Sequence, residues 1–132
     1  MYRYRTHILF RLSVTACLVV ASLAGAEFIF EEEVPIPMQD GTTLRANVAR
    51  PAEEGQYPVI LMRTPYGKPG KRSGDMKRYT EAGYVMVVQD CRGTGSSEGT
   101  WDPFAYDVQD GLDTQAWVGA QGHELVALDE AD

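Results

Sequence analysis

The sequence predicts an α/β fold: an N-terminal antiparallel hairpin followed by parallel strands joined by crossover helices. Three observations carry this. "TTLRANVARP" sets Leu44, Ala46 and Val48 in alternation with Thr43, Arg45 and Asn47, the period-two pattern of a half-buried strand. "YPVILMR" and "YVMVVQD" are apolar without alternation, as strands covered on both faces would be. Between them "DMKRYTEAG" reads as a short helix started by Asp75 and stopped by Gly83, and strand, helix, strand at this spacing is a parallel pair with a crossover.

The other elements follow in chain order. Residues 1–26 hold Arg3, Arg5 and Arg11 with no acid, then the apolar run Leu12 to Leu23, then Ala24-Gly25-Ala26, and so read as a secretory signal peptide. The run is well short of the roughly 20 residues that span a bilayer, which disfavours a membrane anchor. A lipoprotein box at Val14-Thr15-Ala16-Cys17 is disfavoured because the apolar run lies mainly after the cysteine. Residues 27–132 form the remaining domain, expected to be secreted or periplasmic. Glu27 to Met38 is extended and acidic, and Pro35 and Pro37 mark it as an edge strand. Gln39-Asp40-Gly41-Thr42 is the hairpin turn that pairs it with "TTLRANVARP". After the second apolar strand, "AYDVQDGLDTQAWVGAQG" places Val108, Leu112, Ala116 and Trp117 on one side at helical spacing. It reads as an amphipathic helix that packs this side on the sheet.

Charge and cysteine content exclude several classes of function. Removal of the leader leaves 106 residues with 9 Lys/Arg and 19 Asp/Glu, a net charge near −10. Nucleic acid and anionic lipid reward basic patches, so neither is an expected partner, and no membrane association is expected after the leader is lost. Cys91 is then the sole cysteine, so the core carries the fold without an intrachain disulfide.

Gly95-Ser96-Ser97-Glu98-Gly99 fits G-x-S-x-G, the pattern of a hydrolase nucleophile elbow. An elbow works because its serine occupies a strained turn directly between a buried strand and a helix. Ser97 instead lies seven residues beyond Asp90, the end of its strand, and the proline-containing "GTWDPFAYD" follows it. Ser97 is therefore not expected to be a nucleophile. The same glycines lack the Lys-Ser/Thr pair of a phosphate loop and do not open a helix as a dinucleotide fingerprint must, so no cofactor is expected, and a nucleotide-binding domain is the weaker alternative. Asp102, Asp107, Asp110 and Asp113 read as a solvated helix face rather than a metal site, and His123 as an exposed residue near a chain end.

Four stretches together, "VPIPMQDGTTLRANVARP", "YPVILMRTPYGK", "YTEAGYVMVVQDCRGTGSSEGTWDPF" and "DVQDGLDTQAWV", resemble the N-terminal part of the X-Pro dipeptidyl-peptidase and cocaine-esterase group of α/β-hydrolases, the CocE/NonD family. The resemblance runs from about Glu33 to Val118 and implies a partial α/β-hydrolase fold. It implies a serine hydrolase acting on a small-molecule ester or peptide through a Ser-His-Asp triad and an acyl-enzyme. Tyr66 matches the tyrosine whose hydroxyl, with the backbone N–H after the nucleophile, forms the oxyanion hole. The resemblance also assigns Asp90, Arg92 and Ser97 to a scaffold turn beside the site.

The family continues with an apolar strand, the true elbow, a cap, the acid, the histidine and a jelly-roll domain. Here "AQGHELVALDEAD" holds no G-x-S-x-G and reads as an acidic helix end rather than a strand. The expectation is an incomplete chain, truncated before the elbow and without nucleophile, acid or base, its two apolar strands short of partners. The alternative is a non-catalytic secreted fragment or small binding module.

Overall fold

The computed structural model describes residues 28–71, 73–122 and 124–125. The expected leader and His123 lie outside them. β1 (Phe28–Pro37) and β2 (Thr43–Pro51) pair antiparallel, closed by the Asp40-Gly41 turn, in which Gly41 adopts a φ of 87° and donates its N–H to Met38 O at 3.0 Å. β3 (Pro58–Thr64), α1 (Gly74–Glu81) and β4 (Val85–Asp90) form the expected crossover unit, with β3 and β4 parallel in register from Val59↔Val85 to Thr64↔Asp90. α2 (Asp107–Ala120) and β5 (Glu124–Leu125) complete the order β1-β2-β4-β3-β5.

The strand alternation decides which face each residue serves. Val85 and Val87 join Leu44, Ala46, Val48 and Val118 in one cluster under α2, whereas Met86 and Val88 pack with Ala49 and Met76 under α1. Burial of such side chains stabilises by roughly 1.5–3 kcal/mol each. Asn47 and Ala49 are buried, so β2 is covered on both faces over part of its length rather than half-buried as its alternation implied, because β2 lies between β1 and β4 with α1 above it. Gly83, with a φ of 89°, ends the first helical segment as its position predicts.

Two expectations are corrected. The sequence from Glu124 does not begin as a helix end: Glu124 and Leu125 pair parallel with Pro58 and Val59. β4 lies between β2 and β3 and is paired on both sides, whereas β3 is paired on its far side only at Pro58 and Val59, so among the described residues its edge from Ile60 to Thr64 is short of a partner as expected. A two-residue pairing is too short to show a period that sequence reasoning could detect.

The second correction concerns the face of α2. Val108 and Leu112, expected against the sheet, are 76% and 53% exposed, and Ala116 is exposed as well. The buried stripe is Asp110, Asp113, Thr114 and Val118, with Trp117 partly buried against the core. Asp110 and Asp113 are thus not a solvated face. The helix turns its polar residues inward because each finds a partner there: Asp113 accepts the Gln39 N–H at 2.9 Å, and Thr114 bonds the side chain of Gln89 at 2.9 Å.

Candidate active site

In α/β sheets the catalytic and binding groups gather at the carboxyl ends of parallel strands where successive crossovers leave in opposite directions. Here that place is the end of β3 and β4, from which α1 and α2 pass to opposite faces of the sheet. A groove of about 240 Å³ lined by Val59, Val85 and Trp117 lies instead against the amino ends of these strands, so it is not the site.

Two loops meet at the carboxyl end. After β3, Thr64-Pro65-Tyr66-Gly67-Lys68 leaves the sheet with Tyr66 95% exposed. Its N–H is bonded to Thr64 Oγ1 at 3.1 Å, and Gly67 takes a φ of 94° to turn the chain. Lys68 then folds back. Its N–H and Nζ reach Oδ1 and Oδ2 of Asp90, each at 2.7 Å, and Nζ also meets Glu33 Oε1 at 2.8 Å and Ser96 Oγ at 2.7 Å. Burial alone would push the ammonium pKa down, but its bonds to Asp90 and Glu33 outweigh that and leave it raised. The Glu33 carboxyl is lowered in turn, first by Lys68 and next by Ser96. Glu33 lies in a β1 bulge at a φ of 56°, a conformation that costs an ordinary residue energy and here carries its carboxylate to the lysine.

After β4, the glycine-rich turn doubles back on the hairpin. Glu98 donates its N–H to Thr43 O at 3.0 Å and accepts the Thr43 N–H on its carboxylate at 2.9 Å. Ser97 Oγ donates to Asp90 O at 2.7 Å and accepts the Arg45 N–H at 2.9 Å. Its hydroxyl is thus engaged in the scaffold, and a long loop separates it from α2. Arg92 forms a bidentate pair with Asp110 (2.6 and 3.0 Å), reaches Asp40 and Thr42 through Nη1 at 2.8 and 2.7 Å, and lies over the Tyr106 ring. Cys91 is buried, and burial pushes its thiol up. Asp102 is exposed and Asp107 half-buried, and among the described residues no group of three or more His, Cys, Asp or Glu is arranged to hold a metal ion.

The sequence singles out Tyr66, Asp90, Arg92 and Ser97, and the structure brings the last three into one scaffold next to the tyrosine's loop. The sequence does not single out Lys68 or Glu33. Nothing in Glu31-Glu32-Glu33 indicates which of three consecutive acids a bulge carries to the lysine.

The Asp40 carboxyl is held down to about 2, first by Arg92 and then by the Thr42 N–H and hydroxyl. A folded-state pKa below the ordinary 3.8 contributes stability that is present above that value and is lost as pH falls toward 2. Thermal melts across this acid range are expected to show a falling Tm, and Asp40→Asn to flatten that part of the profile. A variant profile as steep as the parent's would contradict the pairing.

Comparison with known proteins follows the same geometry. The family described as X-Pro dipeptidyl-peptidase (S15 family) matches residues 40–125. The cocaine esterase of Rhodococcus sp. (strain MB1 Bresler) is 37% identical over 101 residues, which are 73% of this chain and 18% of the esterase. Among solved structures, an α-amino acid ester hydrolase superposes with a TM-score of 0.63 at 26% identity, over 87% of this chain and 23% of that one. A CocE/NonD family hydrolase from Staphylococcus aureus gives 0.63 at 25% identity, over 70% and 20%. The chain therefore spans about a fifth of the length of these relatives.

Proposed function

The chain belongs to the X-Pro dipeptidyl-peptidase (S15) family, and from that premise we propose that it carries the oxyanion side of a serine hydrolase of the CocE/NonD type. Such an enzyme cleaves an ester or amide bond, X-Pro peptide bonds included, through an acyl-enzyme. Attack on the carbonyl places negative charge on its oxygen, and a donor already aimed at that position stabilises the transition state without reorganising. Tyr66 is the donor in this reading. The observation that carries it is the exposed side chain, whose hydroxyl makes no hydrogen bond among the described residues, on a backbone anchored at the carboxyl end of β3.

Nucleophile, base and acid are supplied from outside the described residues. Ser96 and Ser97 are engaged in the scaffold, Ser73 follows β3 only after a long loop, and the chain's histidines, His7 and His123, lie outside the described part. The test is Tyr66→Phe in the enzyme expressed from its complete gene, assayed on p-nitrophenyl acetate and an X-Pro p-nitroanilide. The expected result is a kcat lowered about 10²–10³-fold with KM little changed, the signature of a contact made in the transition state. Unchanged turnover of both substrates overturns the assignment.

A further inference from the structure

We propose that Lys68, gripped by Asp90 and Glu33, is the positioning residue that fixes Tyr66 for oxyanion stabilisation, an inference that rests on the reading of Tyr66 as the oxyanion donor. No contact of its own hydroxyl holds the Tyr66 side chain among the described residues, so its aim is inherited from the backbone. That backbone is tied on either side of it to one residue. Thr64 lies opposite Asp90 in the β3/β4 register, and Lys68 binds both oxygens of the Asp90 carboxylate, one through its N–H and one through Nζ. Just beyond, Pro69 O accepts the Asn47 side-chain N–H at 3.0 Å. Tyr66 and Gly67 thus form a short span between fixed ends.

The lysine is built in, not draped over the surface. Its side chain is 6% exposed and that of Asp90 1%. An ammonium has three protons, and here Asp90, Glu33 and Ser96 take one each. Gly95 closes the other side: a Cβ there would lie 2.1 Å from Asp90 Oδ2, so the chain has no room for the carboxylate to swing away. Three segments distant in sequence, the β1 bulge, the loop after β3 and the glycine turn, converge on one buried charge. A buried ion pair contributes little net stability compared with an apolar packing of the same shape, because both charges must leave water. What it supplies is a single geometry, imposed on the chain two residues after the exposed Tyr66.

Lys68→Met tests this on two readouts. Amide hydrogen exchange at Tyr66 and Lys68, the two bonded amides of the span, is expected to accelerate roughly tenfold or more as the span loosens. In the enzyme expressed from its complete gene, kcat for p-nitrophenyl acetate is expected to fall roughly ten- to hundredfold with KM little changed, the loss to vanish when Tyr66→Phe is already present, and Lys68→Arg to restore part of it. Unchanged exchange, or an equal loss of kcat in the Tyr66→Phe background, overturns the proposal. Should Lys68→Met not fold, Glu33→Gln removes the partly exposed grip alone, and accelerated exchange confined to the same two amides is expected, its absence overturning the proposal. If Tyr66→Phe itself leaves turnover unchanged, the oxyanion reading is overturned instead, and the exchange result alone decides whether Lys68 holds the span.

Discussion

Asp110→Ala is expected to destabilise the chain by about 3–5 kcal/mol, because it removes one partner of a buried ion pair and leaves the other behind. Asp110 is 1% exposed, and both of its oxygens are engaged by Arg92, at 2.6 and 3.0 Å. Once the carboxylate is gone, the guanidinium keeps, among the described residues, Thr42, the half-exposed Asp40 and the face of Tyr106. Arg63 loses as well: its buried Nη2 has no hydrogen-bond partner among the described residues and lies 3.8 Å from Asp110 Oδ2. Asp110 also lies in the first turn of α2, where the helix dipole favours an acid, but that effect is worth only about 0.3–1 kcal/mol and cannot account for a loss of this size. Urea denaturation measures it directly. A domain of this length has about 5–15 kcal/mol in all, so a Tm drop on the order of 15 °C or more accompanies the change. Replacing both partners together, Arg92→Met with Asp110→Leu, is expected to recover most of the loss, since the uncompensated charge is then gone. A single variant within about 1 kcal/mol of the parent would show that water reaches the pair and screens it.

This ion pair also explains what could and could not be read from the sequence. The hairpin, both apolar strands, the first helix and its glycine stop were legible because each is decided locally, by turn chemistry or by transfer of single apolar side chains out of water. The position of α2 was legible too, but its orientation was not. Apolar spacing selects Val108, Leu112, Ala116 and Trp117, of which Trp117 alone packs against the core, whereas the buried stripe is Val118 with two acids and a threonine. Their partners lie far away in sequence: Arg92 for Asp110, Gln89 for Thr114, and the backbone of Gln39 for Asp113. A polar side chain satisfied inside the protein escapes the desolvation penalty that periodicity assumes, and nothing in its own neighbourhood records this. Lys68 and Glu33 were missed for the same reason. Tyr66 was singled out by family resemblance alone, since a tyrosine in a Gly- and Pro-rich loop has no physical mark of its own in the sequence.

Gly93→Ala is the second large effect expected. Gly93 has a φ of 70°, which costs an L-residue roughly 1–2 kcal/mol, and an added Cβ would lie 2.1 Å from Trp101 N and 2.4 Å from Thr100 C. Both are backbone atoms, so no rotamer change relieves the clash. The chain must reopen the turn, and with it go the Gly93 N–H bond to Glu98 O at 2.9 Å and the two bonds between Glu98 and Thr43 that dock the turn on the hairpin. The expected loss is about 3 kcal/mol or more in urea denaturation. Two other glycines separate its parts. Gly41 has a φ of 87° with nothing within 4 Å of an added Cβ, so Gly41→Ala reports the conformational cost alone. Gly119 is helical and equally open, and Gly119→Ala is expected to be neutral or to stabilise by roughly 0.5–1 kcal/mol. If Gly93→Ala costs no more than Gly41→Ala, the backbone does not cross as closely as described. If it costs far more, Gly93 stands where it does because backbone crosses backbone at Trp101, just as Gly95 makes room for the Asp90 carboxylate and Gly99 for the Arg92 side chain. Spacing dictated in that way produces G-x-S-x-G around Ser97 as a by-product of packing, with the serine's hydroxyl joining Asp90 to Arg45 rather than facing a substrate.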